Sequence, residues 1–227
     1  MATQDQFGER LFQVYRRLFD FYGPQHWWPG ETPFEVIVGA ILTQSAAWTN
    51  VEKAIHNLKA AGRLHPEALR SLSHEDLARL VYPSGYYNTK SRKLKAFVQY
   101  LGERYHDDLD QLFGRDVGDV RPELLSVYGI GEETADSILL YAGGKAIFVV
   151  DAYTRRIIHR LGLAPPQDTY AAYQTLFHDN LPAGPTLFNE YHALLVRHGK
   201  ERCHRRSPLS EGCPLRDICG YAMGRSP

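Results

Sequence analysis

The sequence lacks any apolar run long enough to cross a membrane. A transmembrane helix needs about 20 consecutive apolar residues, and no stretch of the 227-residue chain approaches that length. The first residues, MATQDQFGERLF, also lack the basic start and the continuous apolar segment of a secretory leader. We therefore expect a cytoplasmic protein with no membrane partner, large enough for one substantial core or two small lobes.

Charge of either sign is not in excess, because 26 basic residues balance 26 acidic ones. The composition therefore gives no sign of a polyanionic partner, although basic side chains form two local clusters. The first cluster comprises Lys90, Arg92, Lys93 and Lys95, and the second comprises Arg197, Lys200, Arg202, Arg205 and Arg206. Each cluster either contacts nucleic-acid phosphates or is an ordinary solvated face.

Strand-like alternation is nearly absent, and apolar residues instead recur at helical spacing. Examples are Leu11, Val14 and Leu18 near the start, and Leu94, Phe97, Val98 and Leu101 in the middle. This spacing predicts an all-α protein of about ten helices. Pro66 predicts the first turn of one helix, and Ser73 with Asp76 resembles a capping box. The one β-rich run, AIFVV at 146–150, has no partner strand in the sequence.

Two glycines, Gly129 and Gly131, lie in the stretch VYGIGEETADSILLYA, and Asp151 follows the second by twenty positions. A glycine pair with a later acidic residue outlines a dinucleotide-binding motif, but that motif needs a preceding strand, and PELLSVY has a helical pattern. The favoured interpretation is a helix over 122–127, a turn, and a helix over 132–141. Such a turn either holds a phosphate with backbone N–H groups and a helix dipole, or simply joins two packed helices.

These segments together resemble one protein family. LLSVYGIGEETADSILLYA and FVVDAYTRRIIHRLGL resemble the helix-hairpin-helix and Gly/Pro-rich-loop-Asp motif of the endonuclease III superfamily of DNA glycosylases. FEVIVGAILTQSAAWTNV resembles the early helix of the family, PSGYYNTKSRKL resembles its loop that inserts into the duplex, and HGKERC onward resembles its iron–sulfur tail. The resemblance covers most of the chain, with the motifs in the order of the family.

The resemblance implies a two-lobed, all-α DNA glycosylase fold with a DNA cleft between the lobes. One lobe would be a six-helix bundle over residues 29–145 that ends in the helix-hairpin-helix. The other lobe would combine residues 1–28 with 146–227 and would carry the iron–sulfur loop at 203–219. The implied partner is double-stranded DNA with a damaged base, bound by a monomer in a bacterial or archaeal cytosol, at the nucleoid.

The resemblance also assigns roles to residues. Asp151 would be catalytic, because glycosidic cleavage builds positive charge on the sugar, and a fixed carboxylate stabilises that charge or activates water. Capping of the helix near Ala152 is compatible with this role. The hairpin would hold the DNA backbone, while Gln44 and Tyr86 would fill the gap and wedge the duplex. The implied DNA-binding set is Gln44, Tyr86, Gly129, Ile130, Gly131 and Thr134.

One catalytic residue of the family is replaced. In members that also cut the strand, a lysine two residues after the second hairpin glycine attacks the sugar and forms a Schiff base. Glu133 occupies that position here. A carboxylate cannot form an imine, so we expect strand cleavage to be absent or slight. Lys90 or Lys145 could substitute in principle, but the sequence places neither near the sugar.

Glu133 and three tryptophans resemble a narrower branch, the endonuclease III-like 3-methyladenine DNA glycosylases. The implied base pocket comprises Trp27, Trp28, Trp48 and Glu133. A base alkylated at a ring nitrogen is cationic, and electron-rich rings attract a cation by up to about 2 kcal/mol when desolvated. The alternative is that the tryptophans are core residues. Two adjacent tryptophans in the Pro/Gly-bounded segment 23–30 cannot both point inward along one helix face.

All three cysteines, Cys203, Cys213 and Cys219, lie in the tail. Three cysteines this close in a cytosolic chain favour metal over a disulfide. The iron–sulfur loop of the family reads Cys-x6-Cys-x2-Cys-x5-Cys, so Ser210 stands where the second ligand is expected. The implied cofactor is a [4Fe–4S] cluster whose fourth ligand is Ser210, His204, an external group or nothing. The alternatives are a three-iron cluster, zinc, or an empty loop.

The sequence therefore predicts a monofunctional DNA glycosylase that flips out an alkylated purine, of the 3-methyladenine type, and hydrolyses its glycosidic bond. The alternatives among enzymes are uracil, thymine-mismatch and oxidised-pyrimidine glycosylases. The alternative outside enzymes is a protein that recognises damaged DNA without catalysis.

Overall fold

A computed structural model of the protein describes residues 4–224, and the predicted lobe residues 1–3 and 225–227 lie outside the described residues. The described part contains twelve α-helices and no strand, which confirms the all-α prediction with two more helices than expected. Their bounds are α1 Gln4–Tyr22, α2 Pro33–Leu42, α3 Trp48–Ala60, α4 Pro66–Ser71, α5 His74–Leu80, α6 Tyr87–Tyr105, α7 Leu109–Phe113, α8 Val117–Ser126, α9 Glu132–Ser137, α10 Ala152–Arg160, α11 Tyr170–Asn180 and α12 Pro185–Glu201. None of the helices in the described part is long and apolar enough to cross a membrane.

The chain forms two compact units. One is Trp28–Lys145, and the other combines Met1–Trp27 with Ala146–Pro227. The boundary lies one residue before the predicted one, so the adjacent tryptophans belong to different units. The Trp28–Lys145 unit holds the eight helices α2 to α9 rather than the six that were predicted, because short single-turn helices such as α4 and α7 form separately.

Helix α2 is the centre of the Trp28–Lys145 unit. Every residue from Phe34 to Leu42 is buried, as expected of a helix that is apolar on all sides. Thr32 is the N-cap of this helix, since its Oγ1 accepts a hydrogen bond of 3.2 Å from the backbone N–H of Glu35. The buried carboxylate of Glu35 is compensated by the ammonium group of Lys59 at 2.9 Å.

The predicted helix-turn-helix is present, but both helices have different bounds. The first helix, α8, begins at Val117 and contains Pro122 in its interior rather than at its first turn. The second, α9, ends at Ser137 and continues as a π-helical turn over Ile138–Ala142. Arg121 on α8 donates from Nε (2.6 Å) and Nη2 (3.1 Å) to the buried carboxylate of Asp136 on α9. This two-bond pair fixes the angle between the two helices.

The β-rich run before Asp151 is buried from Ile147 to Val150, and the described residues contain no partner strand for it. Its backbone is paired by side chains of α11 instead. The N–H of Phe148 donates to Nε2 of His178 at 2.9 Å, and its carbonyl accepts from Gln174 at 2.8 Å. The N–H of Val150 donates to the hydroxyl of Tyr170 at 3.3 Å. A buried, hydrogen-bonded segment therefore leads directly into Asp151.

Candidate functional site

Asp151 follows the buried residues Ile147 to Val150 and is the N-cap of α10. Its Oδ1 accepts a hydrogen bond of 2.7 Å from the backbone N–H of Thr154, so the helix cap fixes the orientation of the carboxylate. Its side chain is only 11% exposed, and the second oxygen, Oδ2, lies 3.7 Å from Nε2 of His192, beyond hydrogen-bond distance. One oxygen thus positions the carboxylate, while the other keeps lone pairs for chemistry.

His192, on α12, is a neighbour of Asp151 that the sequence did not predict. Burial lowers the pKa of His192, and the charge of Asp151 opposes that shift. The lowered pKa keeps the imidazole neutral at neutral pH, so His192 does not cancel the negative charge of Asp151. Only the packing of α10 against α12 brings the two residues together, and no spacing in the sequence could reveal it.

Gln44 is tied to the hairpin. Its Nε2 donates to the carbonyl of Gly129 at 3.0 Å and to Oγ1 of Thr134 at 2.9 Å. Its Oε1 accepts a hydrogen bond from the ammonium group of Lys93. Three contacts therefore orient the amide within the Trp28–Lys145 unit.

The other predicted hairpin residues expose little side chain that could contact DNA. Gly129 has φ +82°, and a Cβ at this position would collide with the aliphatic chain of Lys93, so glycine is required there. The side chains of Ile130 and Thr134 are buried. Gly131 is the N-cap of α9. Contact between these buried residues and a DNA phosphate would have to use backbone N–H groups rather than side chains.

Glu133 lies in the first turn of α9 and is exposed. Of the two lysines that could have replaced the family lysine, Lys90 is only 2% exposed. The Lys90 ammonium group donates to the carbonyl of Ser84 at 2.6 Å. The amine of Lys90 is therefore not accessible to a sugar in this structure. Lys145 is half-buried at the end of its unit.

Trp28 and Trp48 form an aromatic cluster with Tyr141, which the sequence did not predict. The rings of Trp28 and Trp48 meet edge to face at 5.2 Å and 88°, and Tyr141 lies at 5.2 Å on Trp28. Gly39 on α2 permits the approach, since a Cβ there would lie 3.1 Å from Nε1 of Trp28. All three rings are half-buried, so they are neither fully core nor free in solvent.

Trp27 has a different environment. It belongs to the other unit, where the ammonium group of Lys200 lies 5.9 Å from the centre of its ring. Trp27 therefore already has a cationic neighbour within its own unit.

Tyr86 is the most exposed large apolar side chain among the described residues, at 74%. It immediately precedes α6 and has a left-handed backbone, with φ +47° and ψ +30°. Tyr82 and Tyr128 are also exposed in the same unit, at 62% and 56%.

The first basic cluster is not a free cationic face. Lys90 is buried, Lys93 binds Gln44, and the ammonium group of Lys95 donates to the carbonyls of Arg70 and Leu72. Only Arg92 is exposed. In the second cluster Arg197 pairs with Glu201 at 3.0 Å, whereas Lys200, Arg205 and Arg206 are exposed. Helical spacing could not predict which lysines turn inward.

The three cysteines line one cavity in the unit that contains the C-terminal tail. Ser210 and His198 also line it. Arg160 on α10 donates from Nη1 to Sγ of Cys203 at 3.1 Å. The thiol of Cys219 donates to the carbonyl of the same arginine at 3.4 Å. The site thus combines soft sulfur ligands with an N–H donor to one of them.

Only one of the two predicted side chains for the fourth ligand lines this cavity. Ser210 lines it, whereas His204 does not. His198, which was not predicted, lies with Nε2 3.9 Å from Sγ of Cys213 and with Nδ1 3.1 Å from the hydroxyl of Tyr22. Burial, with the charges of Arg202 and Arg156, lowers the pKa of His198 to about 4.

A single metal ion does not fit this arrangement. Within residues 4–224, no three His, Cys, Asp or Glu side chains converge on one point. Mononuclear zinc needs four ligand atoms about 2.0–2.3 Å from one ion. In a four-iron cluster each cysteine binds a different iron, so the sulfurs stand farther apart around a shared cavity. The described residues thus show no preformed ligand group for either kind of site.

Sequence comparison identifies relatives over most of the chain. The HhH-GPD superfamily of base excision DNA repair proteins matches residues 38–183. A protein of Methanocaldococcus jannaschii that is proposed to be a DNA repair glycosylase is 42% identical over 212 residues, which cover 93% of this chain and 96% of that protein. Endonuclease III of Thermotoga maritima is 30% identical over 196 residues, which cover 85% of each chain.

Solved structures share the fold. The H. pylori 3-methyladenine DNA glycosylase bound to 1,N6-ethenoadenine superposes with a TM-score of 0.73 at 26% identity, over 86% of this chain and 97% of that one. A trapped covalent endonuclease III–DNA intermediate superposes with a TM-score of 0.83 at 21% identity, over 100% of both chains. At 21% identity, the likeness to endonuclease III is evidence for the fold only, and it confirms the predicted fold.

Proposed function

We propose a specific reaction for this chain from one premise: the chain belongs to the HhH-GPD superfamily of base excision DNA repair proteins. It is therefore a DNA-binding base-excision glycosylase. The proposed reaction is hydrolytic removal of an alkylated purine of the 3-methyladenine type, by a monomer, without strand cleavage. The observation that carries the substrate class is the aromatic cluster of Trp28, Trp48 and Tyr141.

The aromatic cluster supports a cationic base over a neutral one. Three electron-rich rings attract a cation by about 0.5 to 2 kcal/mol each, depending on desolvation. Gly39 allows the close approach of Trp28 to α2, since a Cβ there would lie 3.1 Å from Nε1 of Trp28. The likeness to the H. pylori 3-methyladenine glycosylase agrees with this substrate class. Glu133, with its negative charge, would add to the attraction.

Asp151 performs the chemistry in this proposal. The bond between the sugar C1′ and the base nitrogen breaks, and its electron pair leaves with the base. A base that was cationic leaves as a neutral molecule, so no proton donor is needed. The carboxylate of Asp151 stabilises the positive sugar and takes a proton from the water that adds to C1′. The neutral state of His192 preserves the charge that this requires.

The hairpin and Tyr86 bind the DNA. The backbone N–H groups of Gly129 and Gly131 would contact phosphates, which position the duplex without reading its sequence, whereas the N–H of Ile130 donates to the carbonyl of Val127 at 3.1 Å. Tyr86, 74% exposed, would insert beside the extruded nucleotide. Gln44 would fill the gap only by exchanging its contacts with Gly129 and Thr134 for contacts with bases.

The substrate class is tested by replacing rings with apolar side chains. Trp48→Leu and Trp28→Leu keep an apolar side chain but remove the π face, so release of 3-methyladenine should fall by up to about 30-fold, the equivalent of 2 kcal/mol. Release of a neutral base such as hypoxanthine or uracil, where detectable, should change less than about threefold, since it gains no cation–π energy. Single-turnover base release from duplexes with one defined lesion gives both values.

Equal losses for cationic and neutral bases would show that the rings only pack the core. Phenylalanine replacements are the matched control, because Trp48→Phe retains a π face and should retain most of the selectivity.

The cysteine cavity supports a further proposal, an iron–sulfur cluster held by Cys203, Cys213 and Cys219 with Ser210 as the fourth side chain. Such a group would tie the loop to α10 through Arg160, which already bonds to Cys203 and Cys219. The group would serve the structure of this unit, and no step of the hydrolysis passes through it.

Purified protein should therefore be yellow-brown and contain iron and inorganic sulfide. Serine is a harder ligand than a thiolate, so the Ser210→Cys variant should lose iron more slowly in air than the wild type. His204→Ala is the control and should leave the iron content unchanged, since His204 does not line the cavity. Colourless protein without iron after anaerobic purification would contradict the proposal.

A further inference from the structure

Lys90 is a buried cation that the proposed reaction does not use. It is 2% exposed, in the first turn of α6, whereas lysine is almost never fully buried without a compensating partner. In the described part of the chain its ammonium group has one hydrogen-bond partner, the carbonyl of Ser84 at 2.6 Å, and no carboxylate. Burial, with the nearby Lys93, lowers the pKa of Lys90 to about 8.

The carbonyl that Lys90 holds belongs to the loop that presents Tyr86. Ser84 ends a short 3₁₀ helix over Tyr82–Ser84, and the next two residues both have positive φ, +67° at Gly85 and +47° at Tyr86. A left-handed conformation is uncommon for a residue with a side chain, and it occurs mostly where the surroundings impose it. The Tyr86 ring is 74% exposed, so burial of the ring does not impose it.

Several contacts stabilise this loop, and the hydrogen bond from Lys90 acts where the chain turns into Gly85 and Tyr86. The hydroxyl of Ser84 donates to the carbonyl of Val81 at 2.7 Å, and the rings of Tyr82 and Tyr87 lie 4.8 Å apart. Lys90 holds the carbonyl side of the peptide group between Ser84 and Gly85, and the N–H of that group donates to the carbonyl of Tyr82 at 3.2 Å. Rotation of that peptide group would redirect the Gly85–Tyr86 turn and therefore the exposed ring.

A simpler explanation of the hydrogen bond between Lys90 and Ser84 is that Lys90 caps the 3₁₀ helix, because cations stabilise carbonyls at helix ends. An exposed lysine would serve a cap equally well, without loss of hydration. A buried ammonium group restricts the carbonyl to one direction, since neither partner can move to water. That restriction matters for a protruding ring that must meet DNA in one orientation.

We propose that Lys90 is a positioning residue that holds the Ser84 carbonyl so that Tyr86 projects as a preorganised wedge into damaged DNA. This inference rests on the proposed function, in which Tyr86 inserts into the duplex. Lys90 acts through the loop and touches neither the base nor the sugar.

A double-mutant cycle tests the coupling. Tyr86→Ala should weaken binding to a duplex with an abasic-site analogue by about fivefold or more, the scale of one lost base–aromatic stack. Lys90→Met should weaken the same binding by a similar factor and leave binding to undamaged duplex nearly unchanged. The double variant should be no weaker than Tyr86→Ala alone, because Lys90 acts only through Tyr86.

Lys95→Met is the matched control, since Lys95 lies on the same helix and also donates to backbone carbonyls, those of Arg70 and Leu72. It should leave lesion binding unchanged even where it lowers thermal stability. Gly85→Ala is a second variant that spares the core. A Cβ there meets nothing within 4 Å, and alanine at φ +67° strains the turn alone. It should reproduce the loss seen with Lys90→Met.

The outcomes separate this inference from the proposed function. If Tyr86→Ala has no effect on lesion binding, the wedge itself is wrong and the inference fails with it. If Tyr86→Ala weakens lesion binding but Lys90→Met does not, or if the two losses add, the wedge stands and the role of Lys90 is overturned. Fluorescence of 2-aminopurine beside the lesion gives an independent readout, which Lys90→Met and Tyr86→Ala should lower together.

Discussion

Replacement of Asp151 by asparagine is expected to lower single-turnover base release by about 10²-fold or more, the scale of losing one preorganised electrostatic stabiliser. Asparagine has the same shape and is an equally good helix cap. The Thr154 N–H therefore keeps its acceptor, and the fold and duplex affinity should be retained. The variant thus loses only the negative charge. Measurements of free 3-methyladenine release with enzyme in excess will detect the loss of activity.

The control for this variant is Asp108→Asn. Asp108 caps α7 in the same way, with Oδ1 accepting from the N–H of Gln111 at 3.0 Å, but it belongs to the Trp28–Lys145 unit and not to the unit of Asp151. Its replacement should leave base release unchanged. An Asp151→Asn variant with full activity would show that Asp151 is only a helix cap and that another group carries the reaction.

Borohydride is expected to trap no covalent adduct between the wild-type protein and DNA, and the abasic product should remain uncut until heat or alkali is applied. A Schiff base needs an accessible amine. Glu133 occupies the position of the family lysine, and Lys90 is buried on the Ser84 carbonyl. Gel separation of reduced and unreduced reactions measures both expectations.

Glu133→Lys should restore some trapping, because it returns an amine to the position from which the family lysine attacks. Glu132→Lys is the matched control: it adds the same charge one residue earlier on α9, on a different side of the helix, and should trap much less. An adduct with the wild-type protein would mean that the chain is bifunctional, with Lys145 the first residue to replace.

The sequence predicted the fold because its signals were local and repeated. Helical spacing recurred along the chain, and the segment around Gly129 and Gly131 resembled one family strongly enough to give both the hairpin and Asp151. Helix bounds were less accurate: Pro122 suggested a helix start, whereas α8 begins at Val117. A proline is common in a first turn, but it does not exclude a helix that begins earlier.

The errors within the candidate site concern side-chain direction. Lys90 and Lys95 looked like a cationic surface, yet both turn inward to backbone carbonyls. The boundary between the two units falls between Trp27 and Trp28, and no local pattern in the sequence marks it.

The residues that the sequence missed are those that only tertiary packing brings in. His192 meets Asp151, Tyr141 meets Trp28, and His198 approaches Cys213. Each pair is separated by tens to more than a hundred positions along the chain, except the last, which spans fifteen residues. A histidine or tyrosine at helical spacing carries no signal that distinguishes such a neighbour from an ordinary core residue.

The central claim, hydrolytic excision of an alkylated purine, is tested most directly by the bases that the wild-type protein releases. Duplexes that each contain one lesion are incubated with excess protein, and the free base is measured over time. The account predicts that 3-methyladenine is released faster than uracil or thymine glycol, with no strand cleavage. Faster release of uracil or an oxidised pyrimidine than of any methylated purine would contradict the substrate class, and release of no base would contradict the enzyme itself.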